Sequence, residues 1–375
     1  MLEGKAPTRT TQLHLDRCLT CRNCETTCPS GVQYGQLVEI GRKVVDARVE
    51  RPLKERLARG ALKEGLTSSL FGPAMKLGQM LRPLVPAGLK NKVPAAAGAR
   101  AHQWPTRSHP RKVLMLLGCV QPAMMPNINA ATARVLDAAG IQTVVADGAG
   151  CCGAIRTHLN DIEGGLADMR RNVDAWWPLV EGLTRTGKVE AIVMNASGCG
   201  VTVKEYGHAL AHDPAYAERA LRISALTKDL SELLPEMVEA LRAKLALTRS
   251  AGERGGGATS ASDRGRVVRL AFHPPCTLQH GQQLRGGVET HLNALGFEVD
   301  VAPVESHLCC GSAGTYSVLQ PELAVQLRDR KLANLAPLDA QVIVSANIGC
   351  IQHLQSGTAT PVRHWVEVLD DALNV

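Results

Sequence analysis

One stretch, Cys18-Leu-Thr-Cys21-Arg-Asn-Cys24-Glu-Thr-Thr-Cys28-Pro29, constrains this chain more than any other. Its pattern is C-x2-C-x2-C-x3-C-P. Three thiols at steps of three lie on one tight turn of backbone, where they can reach three irons of a cubane cluster. The fourth stands apart, just before a proline, and in two-cluster ferredoxins it ligates the other cluster. Pro29 fixes its own φ and offers no N–H, which suits an abrupt exit from the loop. Zinc is the rival reading. Zinc sites usually present two separated C-x2-C halves rather than four packed cysteines. Cys18, Cys21, Cys24 and Cys28 are therefore read as ligands of an iron–sulfur cluster of the 4Fe–4S type.

Twelve cysteines in 375 residues are too many for a plain metabolic enzyme. Met1 to Thr11 is polar and lacks the apolar core of a secretory signal. The thiols are thus expected to be reduced metal ligands in the cytoplasm rather than a disulfide framework. No run of 18 apolar residues exists to span a membrane. The formal charge of +7 invites a nucleic-acid reading. However, three anionic 4Fe–4S centres with four thiolates each would bring it to about +1. The basic residues are scattered except from Arg107 to Lys112, so no nucleic-acid partner is expected.

The first 85 residues read as a helical, ferredoxin-like iron–sulfur domain. From Gln36 to about Arg59 the pattern is helical, with Leu37, Ile40, Val44 and Val45 on one face and Arg42, Lys43 and Asp46 opposite. Pro52 is expected to start a new helix towards Gly60. Leu66 to Val85 is more apolar. Packing on the cluster domain is the preferred role there, over a partner surface or a membrane surface. Residues 86–110 form a Pro- and Ala-rich linker.

An internal repeat follows. In the first copy, 111–250, strand Val113 to Leu117 leads to Cys119, and helix Asn129 to Ala139 closes at Gly140. Strand Thr143 to Ala146 then leads to Cys151-Cys152-Gly153, and strand Ala191 to Met194 to Cys199. In the second copy, 266–375, strand Val267 to Phe272 leads to Cys276, and helix Gly287 to Leu295 closes at Gly296. Strand Glu298 to Val301 leads to Cys309-Cys310-Gly311, and strand Val342 to Ala346 to Cys350. There are 31 residues between Cys119 and Cys151 and 32 between Cys276 and Cys309. Residues 251–265 are low-complexity and expected to be a disordered linker.

Strands alternating with helices imply parallel α/β halves, whose sites lie at the carboxyl ends of the strands. Each copy would therefore gather four metal-ligating thiols: Cys119, Cys151, Cys152 and Cys199, then Cys276, Cys309, Cys310 and Cys350. The glycine after each pair would allow a turn and close approach of an inorganic core. Buried structural thiols and a redox-active vicinal disulfide are the competing readings; recurrence of the whole pattern argues against both. Gly148-Ala-Gly150-Cys-Cys-Gly153 also spells the dinucleotide fingerprint G-x-G-x-x-G. The second copy keeps the thiol pair and not the first two glycines, so nucleotide binding is set aside. His273, His280, His307 and His353 lie near the second set and His158 near the first, as hydrogen-bond partners or plain loop residues. No paired carboxylates, Ser/His/Asp order or P-loop stands out.

The Cys18 to Pro29 run, the two C…C-C-G…C copies, Asn172-Val173-Asp174-Ala175-Trp176-Trp177-Pro178, Ala196-Ser197-Gly198-Cys199-Gly200 and His307-Leu308-Cys309-Cys310-Gly311-Ser312-Ala313-Gly314-Thr315-Tyr316 together carry a resemblance. They resemble the iron–sulfur subunits of glycolate oxidase (glycolate dehydrogenase), of the cysteine-rich CCG-domain electron-transfer family. That resemblance implies an electron-transfer subunit. A separate FAD-binding subunit would oxidise glycolate to glyoxylate, and this chain would pass the electrons to a quinone-type acceptor, with association at the inner face of the plasma membrane compatible with that role. Related lactate and glycerol-3-phosphate dehydrogenases, a zinc-binding scaffold and a self-contained thiol reductase at Cys309 and Cys310 are the alternatives. Two departures from the family pattern stand out. Such subunits carry two C-x2-C-x2-C-x3-C-P runs and this sequence shows one, which leads to the expectation of a missing N-terminal segment. Five-cysteine relatives close each copy with C-x2-C, where this chain has Thr202 and His353.

Overall fold

The computed structural model describes residues 4–84, 93–254 and 268–374. Apolar runs between turn residues become short strands, and each copy of the repeat forms one four-stranded sheet. The first contains β1 (Arg111–Met115), β2 (Ile141–Val144), β3 (Ala191–Met194) and β4 (Thr227–Asp229). The second contains β5 (Arg269–His273), β6 (Glu298–Val301), β7 (Val342–Ser345) and β8 (Val362–His364). Their orders are β2-β1-β3-β4 and β6-β5-β7-β8, and every pairing is parallel. Parallel strands covered on both faces need near-continuous apolar sequence. Ala191 to Met194 meets that demand with all four residues buried.

The two edge strands β4 and β8 escaped the sequence reading. Thr227-Lys-Asp and Val362-Arg-His are three-residue, half-polar segments, and edge strands are commonly short and charged. Bounds also shift: β1 begins at Arg111 rather than Val113, and β2 at Ile141 rather than Thr143.

One core crosses both copies. Val113, Ile128, Val193 and Leu241 pack in the same cluster as Phe272, Val344, Trp365 and Leu369. The outer face of the first sheet holds a second core around Leu114, Ile192, Trp176 and Tyr206. Polar contacts stitch the copies where β3 and β7 end. Ser197 N–H donates to Ala346 O (3.0 Å), and His364 Nε2 donates to Asn195 O (2.8 Å). The buried Asp370 takes Arg134 at 2.7 Å.

The amino-terminal region is helical, with helices Arg9–Asp16, Tyr34–Asp46, Leu53–Thr67 and Phe71–Met80. Its inside is largely ionic. Arg51 bridges Asp16 and Asp46, both at 2.6 Å, and Arg59 reaches Asp16 at 2.8 Å. The face expected for helix Tyr34–Asp46 holds only in part. Leu37 and Ile40 are exposed, while Arg42 is buried beside Val45. Arg42 turns inward because its guanidinium donates to Leu15 O (2.9 Å) and Cys18 O (2.7 Å). The expected packing of 66–85 fails in a similar way: Leu70, Leu77, Met80 and Leu84 are exposed. As expected, a new helix starts at Pro52, its N-cap; it runs past Gly60 to Thr67.

Residues 86–92 of the expected linker lie outside the described residues. The rest is docked, with a 3-10 turn at Ala99–His102 and Arg100 reaching Asp370 at 3.0 Å. Residues 251–254 extend helix Leu234–Arg254, and the remainder of the low-complexity segment lies outside the described residues.

Candidate metal centres

All eight repeat cysteines sit just past the carboxyl ends of strands. In the first copy, Cys119 follows β1, Cys151 and Cys152 follow β2, and Cys199 follows β3 in the first turn of helix Ser197–Lys204. In the second, Cys276 follows β5 and opens a π-helical turn at Thr277–Gly281. Cys309 and Cys310 follow β6, and Cys350 lies in the first turn of helix Ile348–Gln355. A thiol in a helix's first turn faces unpaired N–H groups that favour its anionic, metal-binding form.

The thiols of each copy touch in series. Cys119 and Cys152 both share protons with Cys151, and Cys152 also meets Cys199. Cys276 Sγ lies 3.8 Å from Cys309 Sγ, Cys309 meets Cys310, and Cys310 meets Cys350. The protons alternate accordingly. Cys119 and Cys276 are pushed up by donating to their neighbours and by burial. Cys151 accepts from Cys119 and Cys152 and is pushed down to about 3. Cys309 is likewise driven well down by Cys276 and Cys310, with Gly311 N–H at 3.4 Å. Cys350 is held down at about 6, first by Cys310 and then by His273. Each copy thus gathers four soft sulfur donors. That donor set fits iron–sulfur or zinc and is poorly matched to hard cations.

The glycine after each pair makes the expected turn. Gly153 and Gly311 adopt positive φ, +94° and +89°. A helix backbone also approaches each of them closely. A Cβ would lie 2.9 Å from Gly165 O in the first copy and 2.5 Å from Ala324 O in the second. Seven residues beyond those carbonyls stand Asn172 and Lys331, which sequence reasoning missed as site residues. Asn172 accepts from Gly150 N–H and donates to Cys151 O, both at 2.8 Å. Lys331 is buried and donates to Glu305 O at 2.7 Å, just before the Cys309–Cys310 pair. Burial pulls its pKa down, against the pull of the nearby thiolates. Tyr206, fully buried and stacked on Trp176, donates to Cys152 O at 2.9 Å.

In the amino-terminal run, Cys18, Cys21 and Cys24 act on one another electrostatically. Burial, with Cys309, Cys18 and Cys24 nearby, pushes Cys21 up to about 11. Cys28 has different surroundings: N–H groups of Val32 and Ser30 dominate there and pull it down. The run therefore presents a group of three thiols and one set apart. The group of three lies against the second copy, since Cys21 acts on both Cys309 and Cys276. Thr26 Oγ1 to His280 Nδ1 (2.9 Å) holds it there, while the Arg22–Glu205 ion pair ties the same run to the first copy.

The histidines divide. His280 Nε2 donates to His307 O at 2.9 Å, and His353 Nε2 donates to Ala324 O at 3.0 Å, while His307 is exposed. His158 belongs with Arg42 and Arg22 rather than the first thiol set; burial and these cations bring it down to about 4. His273 is buried beside Cys310 and Cys350. A cavity of about 630 Å³ lies away from every cysteine, near the amino ends of β1 and β2, lined by Trp104, Arg107 and Lys244 among others. Among the described residues no helix is long and apolar enough to cross a membrane.

Two parallel α/β copies that each gather four thiols at one rim define a cysteine-rich domain protein. The family model for the cysteine-rich CCG domain matches at residues 113–204 and 270–355. The chain belongs to the family of glycolate oxidase iron–sulfur subunits, electron-transfer proteins built on that domain. It is 50% identical over 374 residues to the glycolate oxidase iron–sulfur subunit of Escherichia coli K12, covering 100% of this chain and 85% of that protein. A probable glycolate oxidase iron–sulfur subunit of Bacillus subtilis is 28% identical, covering 94% and 79%. Lactate utilization protein A of Bacillus licheniformis is 24% identical, covering 69% and 99%.

Proposed function

We propose that this chain is the electron-relay subunit of a glycolate dehydrogenase. Cys18, Cys21 and Cys24 would hold a 4Fe–4S cluster in a ferredoxin-like domain, with Cys28 at its edge. Cys119, Cys151, Cys152 and Cys199 would hold a second centre, and Cys276, Cys309, Cys310 and Cys350 a third. When bound, such clusters supply one-electron acceptance and release. The observation that carries the reading is that the amino-terminal run docks on the second copy, with Thr26 Oγ1 2.9 Å from His280 Nδ1 and Cys21 within electrostatic reach of Cys309 and Cys276. The chain's own residues would keep the centres dry and fixed: Arg42 clamps the approach to Cys18, and Lys331 offsets anionic charge beside Cys309.

Substrate chemistry would belong to an FAD-binding partner that oxidises glycolate to glyoxylate, with a quinone-type acceptor downstream. The exposed Leu70, Leu77, Met80 and Leu84 support work as a subunit, at a protein partner or a membrane face, because soluble proteins rarely leave such patches bare. The domain limits proposed are 1–85, 111–250 and 266–375. Mixing the anaerobically purified chain with the flavin subunit tests this. Glycolate should bleach the broad visible absorption only when both are present, and lactate and glycerol 3-phosphate should do so more weakly. Turnover of glycolate or of a thiol substrate by this chain alone would refute the reading.

A further inference from the structure

The two thiol sets are not equivalent. Three residues before Cys276 stands His273, the last residue of β5; three before Cys119 stands Leu116. The register of the second sheet fixes where His273 sits. It pairs with Ser345 on β7, and Ser345 Oγ donates to the His273 carbonyl at 2.9 Å. The side chain is 1% exposed. Neither ring nitrogen has a nitrogen or oxygen partner. Burying an imidazole without such a partner is unfavourable unless something else satisfies it. What the ring faces is sulfur: one ring nitrogen and the Sγ atoms of Cys310 and Cys350 all lie within 4.8 Å of one another.

We propose that His273 is a ligand of the metal centre in the second copy, so that this centre has an imidazole nitrogen in place of one thiolate while the first is bound by sulfur alone. The inference rests on the iron–sulfur reading of the second set. The position where five-cysteine relatives carry their last thiol does not supply the extra donor in either copy. His353 Nε2 is on Ala324 O, and the Thr202 hydroxyl donates to Gly198 O at 3.1 Å within its own helix. The other buried histidine of the second copy's rim, His280, uses its ring on His307 O and Thr26. His273 is the buried donor at this rim whose ring is free of such bonds. Imidazole in place of thiolate raises the potential of an iron–sulfur centre. The second centre is therefore the more oxidising of the two repeat centres and the natural electron sink beside Cys21.

The test uses the full chain, purified anaerobically after growth on nitrogen-15-labelled histidine, and pulsed EPR of the reduced protein with iron and sulfide assays. Wild type should show the strong nitrogen coupling of a directly bound imidazole. His273→Cys should keep its iron and lose that coupling, and His273→Leu should lose it as well. His353→Gln should retain it. Full iron without histidine coupling, or coupling that survives in His273→Cys, would overturn the ligand assignment and leave the relay reading standing. Iron confined to one centre would remove the relay reading and this inference together.

Discussion

Gly153 and Gly311 hold the thiol pairs in place by having no side chain. Each turns the chain with positive φ directly beneath a helix carbonyl. Gly311→Ala should cost about 3 kcal/mol or more, since a left-handed alanine is strained and its Cβ would also meet backbone. Gly153→Ala should cost somewhat less, its carbonyl being farther away. Gly140 also has positive φ but faces open space, so Gly140→Ala should cost only about 1–2 kcal/mol. Thermal unfolding followed by circular dichroism should rank the three in that order. Arg42 makes a second prediction. Arg42→Met should strip Leu15 O and Cys18 O of a charged donor, at about 2–3 kcal/mol locally. It should abolish the amino-terminal centre's EPR signal while the repeat centres persist. The cysteines and their glycines were legible because their spacing recurs. Arg42 and Lys331 were not, because nothing in a linear pattern marks a charged residue whose partners are backbone carbonyls; His273 was visible only as one of several histidines near the second set.

Strand order explains why thiols distant in sequence meet. β1 and β3 are neighbours, as are β5 and β7, so parallel pairing aligns their carboxyl ends and the loops that follow. Most of this was readable, since apolar runs before Cys119, Cys199, Cys276 and Cys350 announce buried strands. β4 and β8 were hidden because an edge strand of three residues has no period to detect. The face of helix Tyr34–Asp46 was read only in part: Val45 does point inward, but Arg42 joins it while Leu37 and Ile40 stay exposed, because the amino-terminal region packs around ion pairs and charged donors to backbone carbonyls. β8 also leads into helix Trp365–Leu373, capped by His364, whose Nδ1 accepts Val366 N–H at 3.1 Å while Nε2 donates to Asn195 O. Both bonds need the neutral ring. Burial lowers its pKa from 6.5 to about 3, so between these values the unfolded chain binds a proton that the folded chain refuses. Its contribution is whole above about pH 6.5 and shrinks as pH falls. His158, lowered in the same way, adds to the trend. The melting midpoint should drop on acidification from pH 6.5 towards 4, and His364→Gln should flatten that dependence.

The molecule as a whole is three bodies closed around thiol-bearing rims. The copies share a core and an ionic seam through Asp370, Arg134 and Arg100. The amino-terminal region is pinned to the first copy by Arg22–Glu205 and by Arg156 on Glu64 (3.0 Å), and to the second by Thr26 and His280. This docking brings Cys21 towards the second rim. The cavity lined by Trp104 and Lys244 lies away from the rims, consistent with a chain that moves electrons and leaves substrate binding to its partner. The most direct check of that account is iron and acid-labile sulfide per chain after anaerobic purification, with EPR of the reduced sample. Three occupied 4Fe–4S sites predict on the order of twelve irons with matching sulfide. About four irons or fewer, with zinc making up the difference, would contradict it and turn the two repeats into structural metal sites.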